Sequence, residues 1–288
     1  MTPLNFGPLR RAAVSLAGAL LVGGALTACQ SPLQQLDELA QQHGRRLDTV
    51  SGQTFPLLIG EPINPIFSSR IRVYLEGDGR AWATRTQPSL DPSPHDLLVA
   101  RIAFSDPLES IYLARPCQFV SSEACTTALW TDRRYSAEVL ASLDQALDAI
   151  RQRYHNKDFE LIGYSGGGAL ALLLAATRDD VAQVQTLAGN LSPRYWAQLQ
   201  QLTPLSGSLE PLDFRERLAR LPQRHLLGHA DRVIPDEVLQ HYQQALGAAS
   251  CMTALRLQGV SHAEGWETAW HEWRERPIDC LAVPENGR

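Results

Sequence analysis

The sequence predicts an α/β fold, with a mostly parallel central sheet, helices on both faces and a small inserted cap. Three observations carry this reading. Short β-rich apolar runs alternate with segments of helical period from about residue 47 onward. One of those runs stops at a cluster of glycines and passes at once into an Ala/Leu-rich segment. Hydrophobic residues make up 44% of the 288, with 20% charged, which is enough apolar material for one large core.

The first strands are read at 47–50 and 55–59, with Ser51-Gly52 between them as the turn. Residues 71–75 form a third, stopped by Glu76-Gly77-Asp78-Gly79. Residues 97–103 are almost continuously apolar and are read as a strand buried on both faces. Over 136–154 the side chains Val139, Leu143, Ala146, Leu147, Ile150 and Tyr154 recur at helical steps, so one stripe faces a sheet. Residues 159–162 are a strand broken by Gly163, and 169–176 a buried helix. Further strands are read at 184–187, 225–227 and 254–257. Pro235-Asp236-Glu237 opens a helix, with proline in its first turn and acids at the positive end of its dipole. A Trp-rich helix spans 263–275. Residues 191–221 carry Pro193, Pro204 and Pro211 with Tyr195 and Trp196, fit no strand–helix unit, and are read as the cap.

The N-terminus stands outside this pattern. Arg10 and Arg11 precede an apolar run over 12–26, short for a bilayer-spanning helix, which needs about 20 residues. The run ends in Leu26-Thr27-Ala28-Cys29, which resembles a bacterial lipobox. That resemblance implies a signal peptide over 1–28 and diacylation of Cys29. The alternative is an ordinary signal peptide with a chance cysteine. Gln30, where aspartate would mark inner-membrane retention, points to a lipid-anchored protein at the outer membrane, facing the periplasm. Residues 29–46 are polar and Gln-rich, suiting a tether or a loosely docked helix, so the folded domain is expected over 47–288.

Charge and cysteines narrow the chemistry. A formal net charge of -5, with no Lys/Arg block that stands out as a phosphate-binding surface, gives no case for a nucleic-acid partner. With Cys29 lipidated, Cys117, Cys125, Cys251 and Cys280 remain, an even number suited to an oxidising compartment. Of the pairings open to them, Cys117 with Cys125 and Cys251 with Cys280 close the shortest loops; four buried thiols are the alternative. No cysteine sits on a glycine turn, no metal site is expected, and no cofactor motif is present.

The strongest local signal is Gly163-Tyr164-Ser165-Gly166-Gly167, placed between an expected strand and an expected helix. Glycines on both sides of Ser165 permit a tight turn that lifts its hydroxyl above a sheet, and the following helix N-terminus favours negative charge there. A phosphate-binding loop would end in G-K-[ST], which is missing. A serine nucleophile needs a base and the base an orienting acid. Gly228-His229-Ala230-Asp231-Arg232-Val233-Ile234-Pro235 puts Asp231 after one strand, and Val260-Ser261-His262-Ala263-Glu264-Gly265 puts His262 after the next. Both then share the rim that carries Ser165, where α/β sheets place their ligands. His225, His229, His241 and His271 are read as structural.

The elbow, the Asp231 turn and the His262 loop together resemble the α/β-hydrolase superfamily over roughly 47–276. The resemblance implies Ser165 as nucleophile, His262 as general base and acid, and Asp231 as its orienter. It also implies an oxyanion hole from the backbone N–H groups of Gly166 and Asp78. Here the chain departs from the common His-Gly, having Glu76-Gly77. Glu76 and Asp78 are therefore expected to turn away from the site, with Arg80, Arg85 or Arg101 neutralising one of them. The implied activity is hydrolysis of a small-molecule or lipid ester, by a monomer. A peptidase or amidase on the same fold and a non-catalytic scaffold are the alternatives.

Overall fold

Eight strands form one sheet in the computed structural model, which describes residues 30–51, 54–247, 249 and 251–278. In chain order the elements are α1 (Pro32–Gln42), β1 (Arg45–Ser51), β2 (Pro56–Pro62), β3 (Arg70–Leu75), α2 (Leu98–Phe104), β4 (Ser110–Leu113), α3 (Ala137–Tyr154) and β5 (Asp158–Tyr164). They continue with α4 (Gly166–Thr177), β6 (Val181–Leu187), α5 (Pro193–Leu199), α6 (Arg215–Leu218), β7 (Gln223–Gly228), α7 (Asp236–Leu246), β8 (Met252–Leu257) and α8 (Trp266–Trp273). The strand order is β1-β2-β4-β3-β5-β6-β7-β8. β2 pairs antiparallel with β1 and β4, and every other pairing is parallel. The order reverses between β3 and β5, and a ligand crevice opens at such a switch point.

Two apolar layers sandwich the sheet. One joins it to α3, α4, α6 and α7, the other to α1, α2 and α8. α3 buries Val139, Leu143, Ala146, Leu147 and Ile150 as its period requires, and the Ser136 side chain caps its start by accepting from Val139 N. α4 has no polar face: every residue from Gly166 to Ala175 is buried.

Residues 97–103 are not a strand. They belong to α2, where all side chains but Arg101 are buried between the sheet and the outer helices. A short, wholly apolar run satisfies a fully buried helix as well as a central strand, because neither leaves a polar face to set a period. The strand of that region is β4, four residues long and buried throughout.

Of the two readings of residues 29–46, a tether or a loosely docked helix, the structure shows a helix, α1. From Ser31 the chain belongs to the folded unit, which therefore starts ahead of residue 47. Ser31 and Gln34 form a reciprocal capping box, and Leu36 and Ala40 are fully buried. Two apolar residues at i and i+4 suffice to dock a short helix whose other faces are polar. Among the described residues no helix is long and apolar enough to cross a membrane. Residues 1–28 and Cys29 lie outside the described residues.

Part of residues 191–221 continues the helical layer. The 3₁₀ turn Pro211–Phe214 and α6 pack on α4 as part of the helical layer, and Leu218 is fully buried. Proline-rich spacing obscured what is a continuation of the core. Cys117 and Cys125 form a disulfide, with a Cα–Cα distance of 5.8 Å. The other expected pairing ends on Cys280, outside the described residues.

On the α8 side, β3 and β5 bury an ionic layer. Arg72 donates from Nε to Glu160 Oε2 at 3.0 Å and from Nη1 to Asp106 Oδ2 at 3.1 Å. Its Nη2 reaches the Arg274 carbonyl at 2.5 Å. Arg224 adds bonds to the carbonyls of Trp273 and Arg276 at 3.1 and 2.9 Å. These guanidiniums satisfy orphan carbonyls at the end of α8 and fix that helix against the sheet. Replacing Arg72 with Met leaves Asp106 and Glu160 buried without a counter-charge. The expected loss is about 3 kcal/mol or more of unfolding free energy, read by urea denaturation.

Candidate active site

Ser165 sits between the end of β5 and the start of α4 with φ 51° and ψ -120°, a left-handed backbone that serine adopts only when its surroundings impose it. Those surroundings are visible. Ser165 N donates to Leu187 O at 3.0 Å, and Ser165 O accepts from Gly168 N at 3.0 Å and Asn190 N at 2.9 Å. The turn closes so tightly that a Cβ at Gly163 would lie 2.3 Å from Gly167 O. A side chain at either end would open it.

The structure brings Ser165, His262 and Asp231 together. His262 Nε2 lies 3.1 Å from Ser165 Oγ, and His262 Nδ1 lies 2.8 Å from Asp231 Oδ2. Asp231 is aimed by its own turn, where Oδ1 accepts from Val233 N at 2.8 Å and Ile234 N at 2.9 Å. The Asp231 side chain is only 1% exposed, which leaves Oδ2 committed to the imidazole. Asp231 N donates to Gly228 O and Ala230 N to Val260 O, tying the acid turn to the histidine loop. The His262 carbonyl accepts from Tyr164 Oη and from Trp266 Nε1, each at 2.8 Å. The residue before the serine and the first residue of α8 thus hold the histidine loop from two sides.

The loop after β3 abuts the elbow: a Cβ on Gly77 would be 3.0 Å from the Tyr164 ring and 3.4 Å from Ser165 Cβ. Gly166 is the first residue of α4, so its N–H has no acceptor within the helix. The Asp78 carboxylate packs on the Gly166 α-carbon, with Oδ1 only 2.1 Å from where a Cβ would stand. No side chain fits at 166.

That carboxylate is neutralised, though not by the arginines expected. Arg115 Nη1 donates to Asp78 Oδ1, Arg134 Nη1 to Oδ2 at 2.6 Å, and Tyr135 Oη to Oδ1 at 3.2 Å. Against the cost of its burial, the two guanidiniums hold the Asp78 carboxyl well below the usual carboxylate range. Arg101 instead pairs with Asp96 and Glu267, and Arg80 meets His95. Neither reaches Asp78 or Glu76. The cause is β4: once the strand runs over 110–113, Arg115 falls at its C-terminal edge, on the rim of the site. Arg134 and Tyr135 arrive on the turn before α3, ahead of its cap Ser136.

Glu76 turns into the fold. It is 3% exposed, accepting from Tyr112 Oη at 2.8 Å and from Gly77 N at 2.9 Å. Burial pushes its carboxyl up from the ordinary 4.5 to about 7, with those two hydrogen bonds opposing the rise.

A cavity of about 510 Å³ opens over Ser165 and His262. Trp82, Trp196, Val233 and Ile234 give it an apolar wall; Arg80, His95, Asp96 and Asn190 give it polar lining. Asn190 is 2% exposed, and its Oδ1 has no hydrogen-bond partner. Its place follows from a second strained position, Ala188 at φ 49°, which turns the chain back toward Ser165. Sequence reasoning missed Asn190, Arg115, Arg134 and Tyr135 as site residues. Only the polar residue just past the end of β6 signalled the first of them.

Chemically, the arrangement can activate a serine oxygen: the imidazole is placed to take its proton, and the carboxylate to hold the ring and stabilise its charged form. No protein-family model and no curated protein matches the sequence. Solved structures do resemble the fold. An esterase of Pyrococcus furiosus, Pf2001, aligns with TM-score 0.58 at 12% identity, over 86% of this chain and 92% of that one. A putative dienelactone hydrolase from Klebsiella pneumoniae aligns with TM-score 0.55 at 18% identity, over 80% and 95%. Est1E from Butyrivibrio proteoclasticus aligns with TM-score 0.55 at 13% identity, over 78% and 94%.

The raised carboxyl of Glu76 makes stability depend on pH. Between pH 4.5 and about 7 the folded protein keeps a proton that the unfolded chain has released, so stability falls as pH rises through that window. The expected loss is about 3 kcal/mol. Glu76→Gln should flatten it and leave the variant more stable than the parent at pH 8, as measured by denaturant titrations from pH 5 to 8. Strand order, elbow and site position together establish that this chain adopts the α/β-hydrolase fold.

Proposed function

We propose that this protein is a serine hydrolase that cleaves carboxylic esters through an acyl-enzyme. The observation that carries the reading is the unbroken relay from Asp231 through His262 to Ser165, ending on a strained serine at the floor of a cavity. Ser165 Oγ attacks the ester carbonyl while His262 Nε2 takes its proton. The tetrahedral oxyanion is held by the backbone N–H groups of Gly166 and Asp78. His262 returns the proton to the alcohol as it leaves, and the same imidazole then activates water against the acyl-serine. Ester rather than amide is favoured because an alkoxide needs less protonation to depart than an amine. The solved esterases of like fold add support of a general kind only, since a fold hosts many reactions.

The proposal extends to location. The lipobox-like Leu26-Thr27-Ala28-Cys29, with Gln30 following, supports a diacylated Cys29 and attachment to the outer membrane from the periplasmic side.

A fluorophosphonate probe should label the protein, and Ser165→Ala should abolish labelling. Folded protein that fails to react would mark a non-catalytic scaffold. Asp231→Asn should lower kcat on p-nitrophenyl esters by on the order of 10³ to 10⁴, because the imidazole loses its orienting acceptor. Peptide anilides turned over faster than esters would reverse the substrate preference. Expressed in a bacterium with radiolabelled palmitate, the protein should incorporate label, and Cys29→Ser should not. Equal incorporation by both would remove the anchor.

A further inference from the structure

Among the charged side chains around the cavity, Arg80 stands apart. Arg115 and Arg134 are taken up by Asp78, and Arg101 by Asp96 and Glu267. Asp231 faces His262, and Glu76 is sealed under Tyr112 and Gly77. Each carboxylate on the wall therefore already has its partner. Arg80 is exposed, and among the described residues its guanidinium meets only His95 Nε2, at 3.4 Å, near the limit of a hydrogen bond.

Its backbone, by contrast, is firmly placed. Gly79, at φ +59°, turns the chain between Asp78 and Arg80, and Arg80 N donates to Pro92 O at 3.0 Å. A Cβ at Gly79 would be 2.2 Å from that same Pro92 oxygen, so the turn admits glycine alone. A free guanidinium is thus held two residues beyond the amide assigned to the oxyanion, on the wall of the same cavity. Opposite in character are Trp82 and Val233, 43% and 45% exposed, with Trp196 and Ile234 beside them. Asn190 adds a buried carboxamide oxygen with no partner, which a purely hydrocarbon ligand would leave unsatisfied. The cavity is therefore amphipathic, and Arg80 is the cation on its wall that no carboxylate pairs with among the described residues.

We propose that the substrate is an ester bearing an anionic group, a carboxylate or a phosphate, which Arg80 grips while the Trp82–Trp196 wall takes the hydrocarbon part. His95 Nε2 accepts from Arg80 Nη1 at 3.4 Å and so helps to orient the guanidinium on the cavity wall. The inference rests on the serine-hydrolase reading but is tested apart from it.

In a Ser165→Ala protein, which cannot turn substrate over, monomethyl glutarate should bind about tenfold more tightly than dimethyl glutarate by titration calorimetry. Adding Arg80→Gln should bring the two within about twofold, and Arg80→Lys should restore part of the difference. Equal affinity for the charged and neutral esters, or a preference that survives Arg80→Gln, overturns the proposal. In the wild type, the charged-to-neutral ratio of kcat/KM is compared for p-nitrophenyl hemiglutarate against the valerate, and for 1-butyrylglycerol 3-phosphate against 1-butyrylglycerol. The pair with the larger ratio identifies carboxylate or phosphate as the natural anion. Protein that hydrolyses none of the four defeats the serine-hydrolase reading alone, because the binding preference is still read in the Ser165→Ala background.

Discussion

A carboxylate resting on the α-carbon of Gly166 sets the terms for the whole rim that carries Ser165, His262 and Asp231. Asp78 supplies it, against the residue that follows Ser165, where under the proposed mechanism negative charge would oppose the oxyanion. Two guanidiniums and a phenol are buried to meet it, and each comes from chain that has to be held for the purpose. Arg115 follows β4 on a loop with left-handed backbone at Cys117 (φ 70°) and Phe119 (φ 63°), which the disulfide to Cys125 closes. Arg115 Nη2 in turn bonds the Arg134 carbonyl at 2.6 Å, and Tyr135 O accepts from Leu209 N at 2.9 Å. Removing the carboxylate would strand two buried guanidiniums, at a cost far above that of breaking an exposed pair. The segment from 114 to 135 is best understood as the setting for this one carboxylate.

Strain and its restraint explain how the serine is presented. Left-handed backbone occurs at Ser165 and again at Ala188, on the neighbouring strand ends of β5 and β6. The two turns hold each other through the bonds from Ser165 N to Leu187 O and from Asn190 N to Ser165 O. One distortion therefore supports the other. It also brings Asn190 into the cavity at no further cost in backbone order. α4 enforces the arrangement from below, since it is buried on every side and has nowhere to shift.

The histidine arm depends on a more distant device. His262 lies on a loop whose far end is α8, and α8 is clamped at its C-terminus by Arg72 and Arg224 on the sheet. The ionic layer there makes little sense as a source of net stability, because buried ion pairs seldom exceed a hydrophobic replacement. As a means of fixing one helix in one position it does: guanidiniums demand acceptors at set angles, whereas an apolar contact tolerates sliding. Tyr164 and Trp266, both bonded to the His262 carbonyl, complete the path from that clamp to the imidazole.

What the sequence determined by itself was local and periodic. Seven of the eight strands and the elbow are legible because apolar runs bounded by turn residues say where a strand ends. The order of acid and histidine after successive strands then places Asp231 and His262 on the rim that carries Ser165. What it left open was whatever lacks a period or acts across the chain. The run at 97–103 is apolar all round, so only packing between the sheet and two helices decides that it is α2. With that strand misplaced, β4 was missed and Arg115 lost its position at a strand edge. The pairing of Arg115 and Arg134 with Asp78 spans 37 and 56 residues, and no local rule selects those arginines over Arg80, Arg85 or Arg101. Tertiary structure alone decided which guanidinium is spent on the fold and which is left facing the cavity, because that choice is made by distance in space and by the cost of leaving a buried charge unpaired.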